Sequence, residues 1–182
     1  NSGDASKELR QFAKHFGIPV VTTLMGIGAV DTTDPLALRM LGMHGTAFAN
    51  YAVEDCDFLF AVGSRFDDRV TGRIDAFSPN SKKIHIDIDP SSINKTVRVD
   101  VGIVGDCAFV LEDMIRLWKA KLLKPDRSAL SAWNMQIDGW RARNCLAYKS
   151  SADVIKPQYA VERLYELTKG RDTYISTEVG QH

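Results

Sequence analysis

The chain has 182 residues, 45% hydrophobic and 25% charged, with 23 basic residues balancing 23 acidic ones. That length suits one domain, or one domain and part of a second, with enough apolar material for a sizeable core. No basic stripe invites nucleic acid, and no apolar run approaches the roughly 20 residues of a membrane-spanning helix, so a small molecule or another protein is the expected partner.

The polar start, Asn1-Ser2-Gly3-Asp4, does not read as a signal peptide. Leu9, Phe12, Ala13 and Phe16 recur at helical spacing and predict an amphipathic helix over residues 4–16, stopped at Gly17. Residues 18–24 predict a buried strand, with Pro19 near its start, where a missing N–H is tolerated. Gly26 and Gly28 punctuate the turn after it, and Asp34-Pro35 is expected to open a short helix through Leu41. Gly42-Met43-His44-Gly45 reads as a loop and residues 46–54 as a helix. Strands are predicted at residues 57–62, 84–88 and 101–104, with a turn at 78–81. A helix over residues 107–122 places Val110, Met114, Leu117 and Trp118 on one side.

After Lys124-Pro125, the residues Leu130, Trp133, Ile137 and Trp140 predict a helix that buries a tryptophan-rich stripe. Residues 149–156 read as a linker, and Pro157 starts a helix with Val161, Leu164 and Leu167 on its apolar face and Gly170 as its cap. Residues 173–177 predict a last strand, running into a strand-end loop from Glu178 to His182, so a second domain is expected to have only begun there. Cys56, Cys107 and Cys145 are far apart and odd in number, and the four histidines show no ligand spacing. They read as reduced thiols of a cytoplasmic protein, with no metal centre.

Strands alternating with helices predict an α/β fold, a Rossmann-like doubly wound parallel sheet whose strand ends line one edge. Thr23-Leu24, residues 63–69, Asp87-Ile88 and Gly105-Asp106 fall on that edge. The stretch Ser64-Arg65-Phe66-Asp67-Asp68-Arg69 directly follows a strand and Gly63, and flanks two aspartates with two arginines. Guanidinium groups suit phosphate or carboxylate, although by itself the stretch also reads as a solvated, internally paired charge cluster. Convergence of four strand ends favours a ligand crevice. Glycines there let backbone approach a pyrophosphate, and Asp87 either accepts hydrogen bonds from ribose hydroxyls or caps a turn. No Gly-x-Gly-x-x-Gly occurs; its usual place, after the first strand of such a sheet, would precede residue 1.

Several motifs stand in an order that closely resembles the catalytic subunits of the acetolactate (acetohydroxyacid) synthases. They are Leu41-Gly42-Met43-His44-Gly45, Arg65-Phe66-Asp67-Asp68-Arg69-Val70-Thr71-Gly72 and His85-Ile86-Asp87-Ile88-Asp89-Pro90. Asn94-Lys95, Gly105-Asp106, Lys156-Pro157-Gln158 and Gly180-Gln181-His182 belong to the same set, and Ser64 departs from it by a small change from alanine. The resemblance implies a central FAD-binding domain at residues 1–125 without its first strand, a helical linker at 126–150, and the beginning of a thiamine diphosphate-binding domain at 151–182.

It implies FAD contacts from Thr23, Leu24, Leu41, Gly42, Met43, His44, Gly63, Ser64, Arg65, Asp67, Arg69, Val70, Asp87, Ile88, Gly105 and Asp106. His44 also reads as a structural histidine, hydrogen-bonded in its own loop. Arg69 would grip the carboxylate of a second 2-ketoacid with Met43 packed near it, and Val179, Gly180, Gln181 and His182 would meet thiamine diphosphate.

The implied reaction condenses two 2-ketoacids, pyruvate with pyruvate or 2-ketobutyrate, with loss of CO2, in branched-chain amino acid synthesis. It uses thiamine diphosphate, Mg2+ and FAD, in a homo-oligomer with a possible regulatory subunit. The glutamate that activates the thiamine cofactor and the metal motif fall outside this sequence by the same comparison, so the chain alone is expected to be inactive. The alternatives are a non-catalytic nucleotide-binding module and another thiamine diphosphate-dependent carboligase or oxidase.

Overall fold

A computed structural model describes residues 4–176 of the chain. The chain divides into two compact units, Asn1–Cys145 and Leu146–His182. The first unit opens with α1 (Ser6–Phe16), which ends at Gly17 in the left-handed conformation. The strands β1 (Val20–Thr22) and β2 (Ala37–Met40) then pair in parallel. Next come α2 (Ala47–Asp55), β3 (Phe58–Val62), the single turn α3 (Asp68–Thr71), β4 (Lys82–Asp87) and β5 (Val101–Val104). Two long helices, α4 (Cys107–Lys121) and α5 (Arg127–Arg141), complete the unit.

Among the described residues the fold is α/β with parallel strands throughout, as expected, and hydrogen bonding groups them into two sheets, β1-β2 and β3-β4-β5. Between the sheets lies an apolar cleft of about 130 Å³, lined by Val20 and Val21 of β1, Phe58, Leu59 and Phe60 of β3, and side chains of α1, α2 and α5. On one face Phe12 of α1 meets Phe60 at 5.7 Å and Trp118 of α4 at 5.9 Å. His15 stacks on Trp118 at 4.1 Å. A second core joins Leu38 and Leu41 to Phe48, Ala49, Ala52 and Val53 of α2 and Ile137 of α5, with Trp133 and Trp140 against it. The tryptophan stripe is therefore core packing, and α5 belongs with the first unit.

Residues 34–41 form no helix. The Asp34 carboxylate accepts the Leu36 N–H at 2.9 Å in a tight turn, and β2 then pairs with β1 in the register Val20↔Ala37 and Thr22↔Met40. β2 holds one residue more than β1 between those pairs, and Arg39 absorbs it at φ +66°. A short apolar run carries no periodicity that tells strand from helix; the neighbouring strand decides. In the second unit α6 (Pro157–Thr168) forms as expected, with Tyr148 donating its hydroxyl proton to Glu162. Residues 173–176 form no strand, since no strand of that unit pairs with them among the described residues, and Tyr174 stays 93% exposed. Thr177 lies outside the described residues.

Candidate functional site

The loop after β3 starts with Gly63 at φ +63°, whose N–H reaches the Ile86 carbonyl at 2.8 Å and ties the loop to the end of β4. Phe66, also left-handed at φ +53°, turns its ring into the core against Phe77 at 5.9 Å and His85 at 4.9 Å. That inward plug leaves the polar neighbours outside. Asp67 caps α3, accepting the N–H groups of Arg69 at 3.1 Å and Val70 at 3.2 Å. Arg65 pairs with the other oxygen of Asp67 at 3.4 Å while its side chain stays 81% exposed. The charge cluster is thus paired in part, yet both guanidinium groups stand in solvent.

The loop after β2 docks on this one. Met43 donates its N–H to the Arg69 carbonyl at 2.9 Å, and its sulfur lies 3.8 Å from Arg69 Nη1. Asn50 on α2 holds Gly42 from both sides, accepting the Gly42 N–H at 2.7 Å and donating to the Gly42 carbonyl at 3.0 Å. Thr46 caps α2 through the Ala49 N–H and donates to the Leu38 carbonyl at 3.0 Å. The Leu41 N–H reaches the Thr22 carbonyl at 3.2 Å, which places this loop beside the end of β1, where Leu24 is exposed.

At the far end of the edge, Gly105 donates its N–H to the Asp87 carbonyl at 3.0 Å, and Asp106 caps α4 through the Ala108 N–H at 2.8 Å. Asp87 is nearly buried and accepts the Asp89 N–H at 2.8 Å, so the capping role is real; its second oxygen faces His85 Nε2 at 3.7 Å. Ile88 is exposed. Cys107 lies under Gly63, where an added Cβ would meet its sulfur at 3.3 Å. Burial, then the charges of Asp106 and Asp87, push the Cys107 thiol pKa up. Burial pushes the His85 imidazole down, against an opposing pull from Asp87 and a weaker one from the Ser64 backbone.

Loop 63–72 therefore bridges two groups of candidate residues: Leu41 to His44 with Arg69 and Val70 at one end, and Asp87, Ile88, Gly105 and Asp106 at the other. Thr23 and Leu24 border the first group. Val179 to His182 lie outside the described residues. Asn50 was not singled out from the sequence; no local pattern announces it, since it acts on Gly42 eight positions away. Among the described residues no group of three or more His, Cys, Asp or Glu side chains could hold a metal ion, and no helix is long and apolar enough to cross a membrane.

Chemically the edge offers two exposed guanidinium groups for phosphate or carboxylate, a carboxylate for a diol, and exposed apolar side chains at Leu24, Met43 and Ile88 for a flat ring system. A flavin nucleotide fits that donor set.

The chain is 45% identical over 181 residues to the acetolactate synthase large subunit of Haemophilus influenzae, covering all of this chain and 31% of that protein. It is 46% identical to the acetolactate synthase isozyme 3 large subunit of Escherichia coli over 97% of this chain and 30% of that protein. It is 49% identical to acetolactate synthase 1, chloroplastic, of Oryza sativa subsp. japonica, covering all of this chain and 27% of that protein. The chain thus spans less than a third of the length of these relatives. Residues 1–114 match the family model of the thiamine pyrophosphate enzyme central domain, and with more than half its length inside that match the chain belongs to the thiamine pyrophosphate enzyme family.

Proposed function

We propose that this chain is part of the large, catalytic subunit of an acetolactate synthase, a transferase that joins two 2-ketoacids with loss of CO2 in branched-chain amino acid biosynthesis. The observation that carries the reading is the junction of two loops that places the exposed Arg69 guanidinium beside Met43. A planar fork of donors next to a soft apolar side chain is what a short ketoacid needs: a grip for its carboxylate and a surface for its alkyl group. The names of the relatives support the same assignment.

In this reading the first unit is the central domain and holds FAD along the strand ends, from Leu24 and the 41–44 loop, past Arg65 and Arg69, to Asp87 and Asp106. FAD binding here serves assembly of the site, since the net reaction has no redox step. Residues 151–182 belong to a thiamine diphosphate-binding domain, in which Val179, Gly180, Gln181 and His182 would hold the cofactor phosphates. When bound, thiamine diphosphate supplies the carbanion chemistry of decarboxylation and ligation; this chain's residues bind and orient.

The assembly is a homo-oligomer, and "large subunit" in the relatives' names supports a smaller partner subunit. The three thiols are free, which suits a reducing compartment such as the cytoplasm. By itself the chain is expected to be inactive in an acetolactate assay.

The test is made on the longer protein that contains this chain, assayed for acetolactate from pyruvate with thiamine diphosphate, Mg2+ and FAD. Arg69→Lys should raise the KM of the second ketoacid about tenfold or more while CO2 release from the first is spared, because lysine keeps the charge and loses the fork. Unchanged use of the second ketoacid removes Arg69 from the site; no product from the unaltered protein leaves a nucleotide-binding module.

A further inference from the structure

We infer that His85 is a positioning residue for the nucleotide end of this site, holding the Asp87 carboxylate from behind when that carboxylate engages a ribose diol. The inference rests on the flavin reading above. His85 and Asp87 stand two apart on β4 and so share one face of the strand. The His85 side chain has no exposure at all, and among the described residues neither ring nitrogen completes a hydrogen bond, although the Ser64 backbone lies close enough to pull on the ring. Buried polar atoms in native proteins are nearly always paired, so an imidazole unpaired at both nitrogens calls for an explanation.

Nε2 lies 3.7 Å from Asp87 Oδ2, about one ångström beyond a charge-assisted hydrogen bond. Oδ1 is already engaged by the Asp89 N–H at 2.8 Å, which leaves Oδ2 as the atom free to turn. Phe66 stands edge-on to the imidazole at 4.9 Å, itself fixed in the core by the turn after Gly63, so the ring has a rigid backing. A small rotation of Asp87 toward the ligand-bound geometry closes the gap. A neutral ring with its proton on Nε2 then donates to Oδ2, and the remaining lone pairs of the carboxylate are aimed outward at two hydroxyl groups. His85 touches no ligand; it acts through Asp87.

The longer protein is titrated with FAD, followed by flavin fluorescence, for the unaltered chain, His85→Phe, Asp87→Asn and the double variant. Phenylalanine keeps the ring and removes the donor. His85→Phe should weaken FAD about tenfold, and the double variant should bind no worse than Asp87→Asn alone. Equal binding by His85→Phe, or losses that multiply in the double variant, overturns the inference. If His85→Phe does not fold, His85→Gln, which keeps one donor, should retain FAD affinity within about threefold; a loss as large as that of Asp87→Asn overturns it.

Nitrogen-15 shifts of the His85 ring give a readout that needs no variant. They should report the Nε2–H tautomer, with its proton moving downfield when FAD is added and not doing so in Asp87→Asn. An Nδ1–H tautomer in the unaltered protein, free or bound, overturns the inference. If the unaltered protein binds no FAD, the flavin reading fails on its own, and the tautomer still decides whether His85 faces Asp87 with a proton.

Discussion

A Cβ placed on Gly42 would stand 2.3 Å from the carbonyl oxygen of Arg69 and 3.0 Å from the Cα of Val70. The two loops that carry the candidate substrate residues therefore touch backbone to backbone, and only glycine permits it. Gly42 also sits at φ +91°, so a side chain there meets strain as well as contact. Gly42→Ala should lower stability by about 2–3 kcal/mol and push the 41–45 loop off Arg69. A urea unfolding series checks the first, and loss of the Met43 amide's protection from hydrogen exchange checks the second.

Asn50 is the other half of that lock. Asn50→Ala strands both the N–H and the carbonyl of Gly42 and should destabilise by about 1–3 kcal/mol. Asn50→Asp keeps an acceptor for the N–H and sets a charge against the carbonyl, so it should lie no nearer the unaltered protein than Asn50→Ser. Chemical denaturation of the three variants ranks them.

Asp100 gives a pH test away from the site. Its carboxylate accepts the Lys83 N–H at 2.8 Å and pairs with Lys82 at 3.2 Å, which hold its pKa below the ordinary 3.8. A depressed folded pKa stabilises above the unfolded value, and the effect fades as pH falls toward the folded one. The stability gap between the unaltered chain and Asp100→Asn should be constant from neutral pH to about 5 and narrow as pH drops below that. Urea midpoints across that range measure it; a gap that stays constant to acid rules out the charge as its source.

The thiols should separate cleanly. Cys145 is exposed, whereas burial raises the pKa of both Cys56 and Cys107. A thiol reagent at about pH 8 should modify one residue quickly, identified as Cys145 by peptide mass spectrometry, and the other two only after denaturant. Early modification of Cys107 would place it nearer solvent than its position under Gly63 allows.

Periodicity alone carried much of this chain. Leu9, Phe12, Ala13 and Phe16 marked α1 and its stop at Gly17; the stripe from Leu130 to Trp140 marked α5 as a core helix; and three apolar runs marked β3, β4 and β5. Those signals are local: each residue's place follows from neighbours within a turn or two. The ordered motifs were likewise enough to place the chain in its family.

Tertiary structure decided what depends on distant partners. Residues 37–40 became strand β2 because Val20 was there to pair with, and residues 173–176 remained outside any strand without a partner in their unit. The family resemblance paired Arg69 with Met43, but only the Gly42 to Arg69 backbone contact and the Asn50 clamp set them side by side. His85 read simply as a strand residue until Phe66 folded over it and Asp87 stood beside it. A strand's period of two says which residues share a face, but what faces them is settled by the packing of segments far apart in the chain.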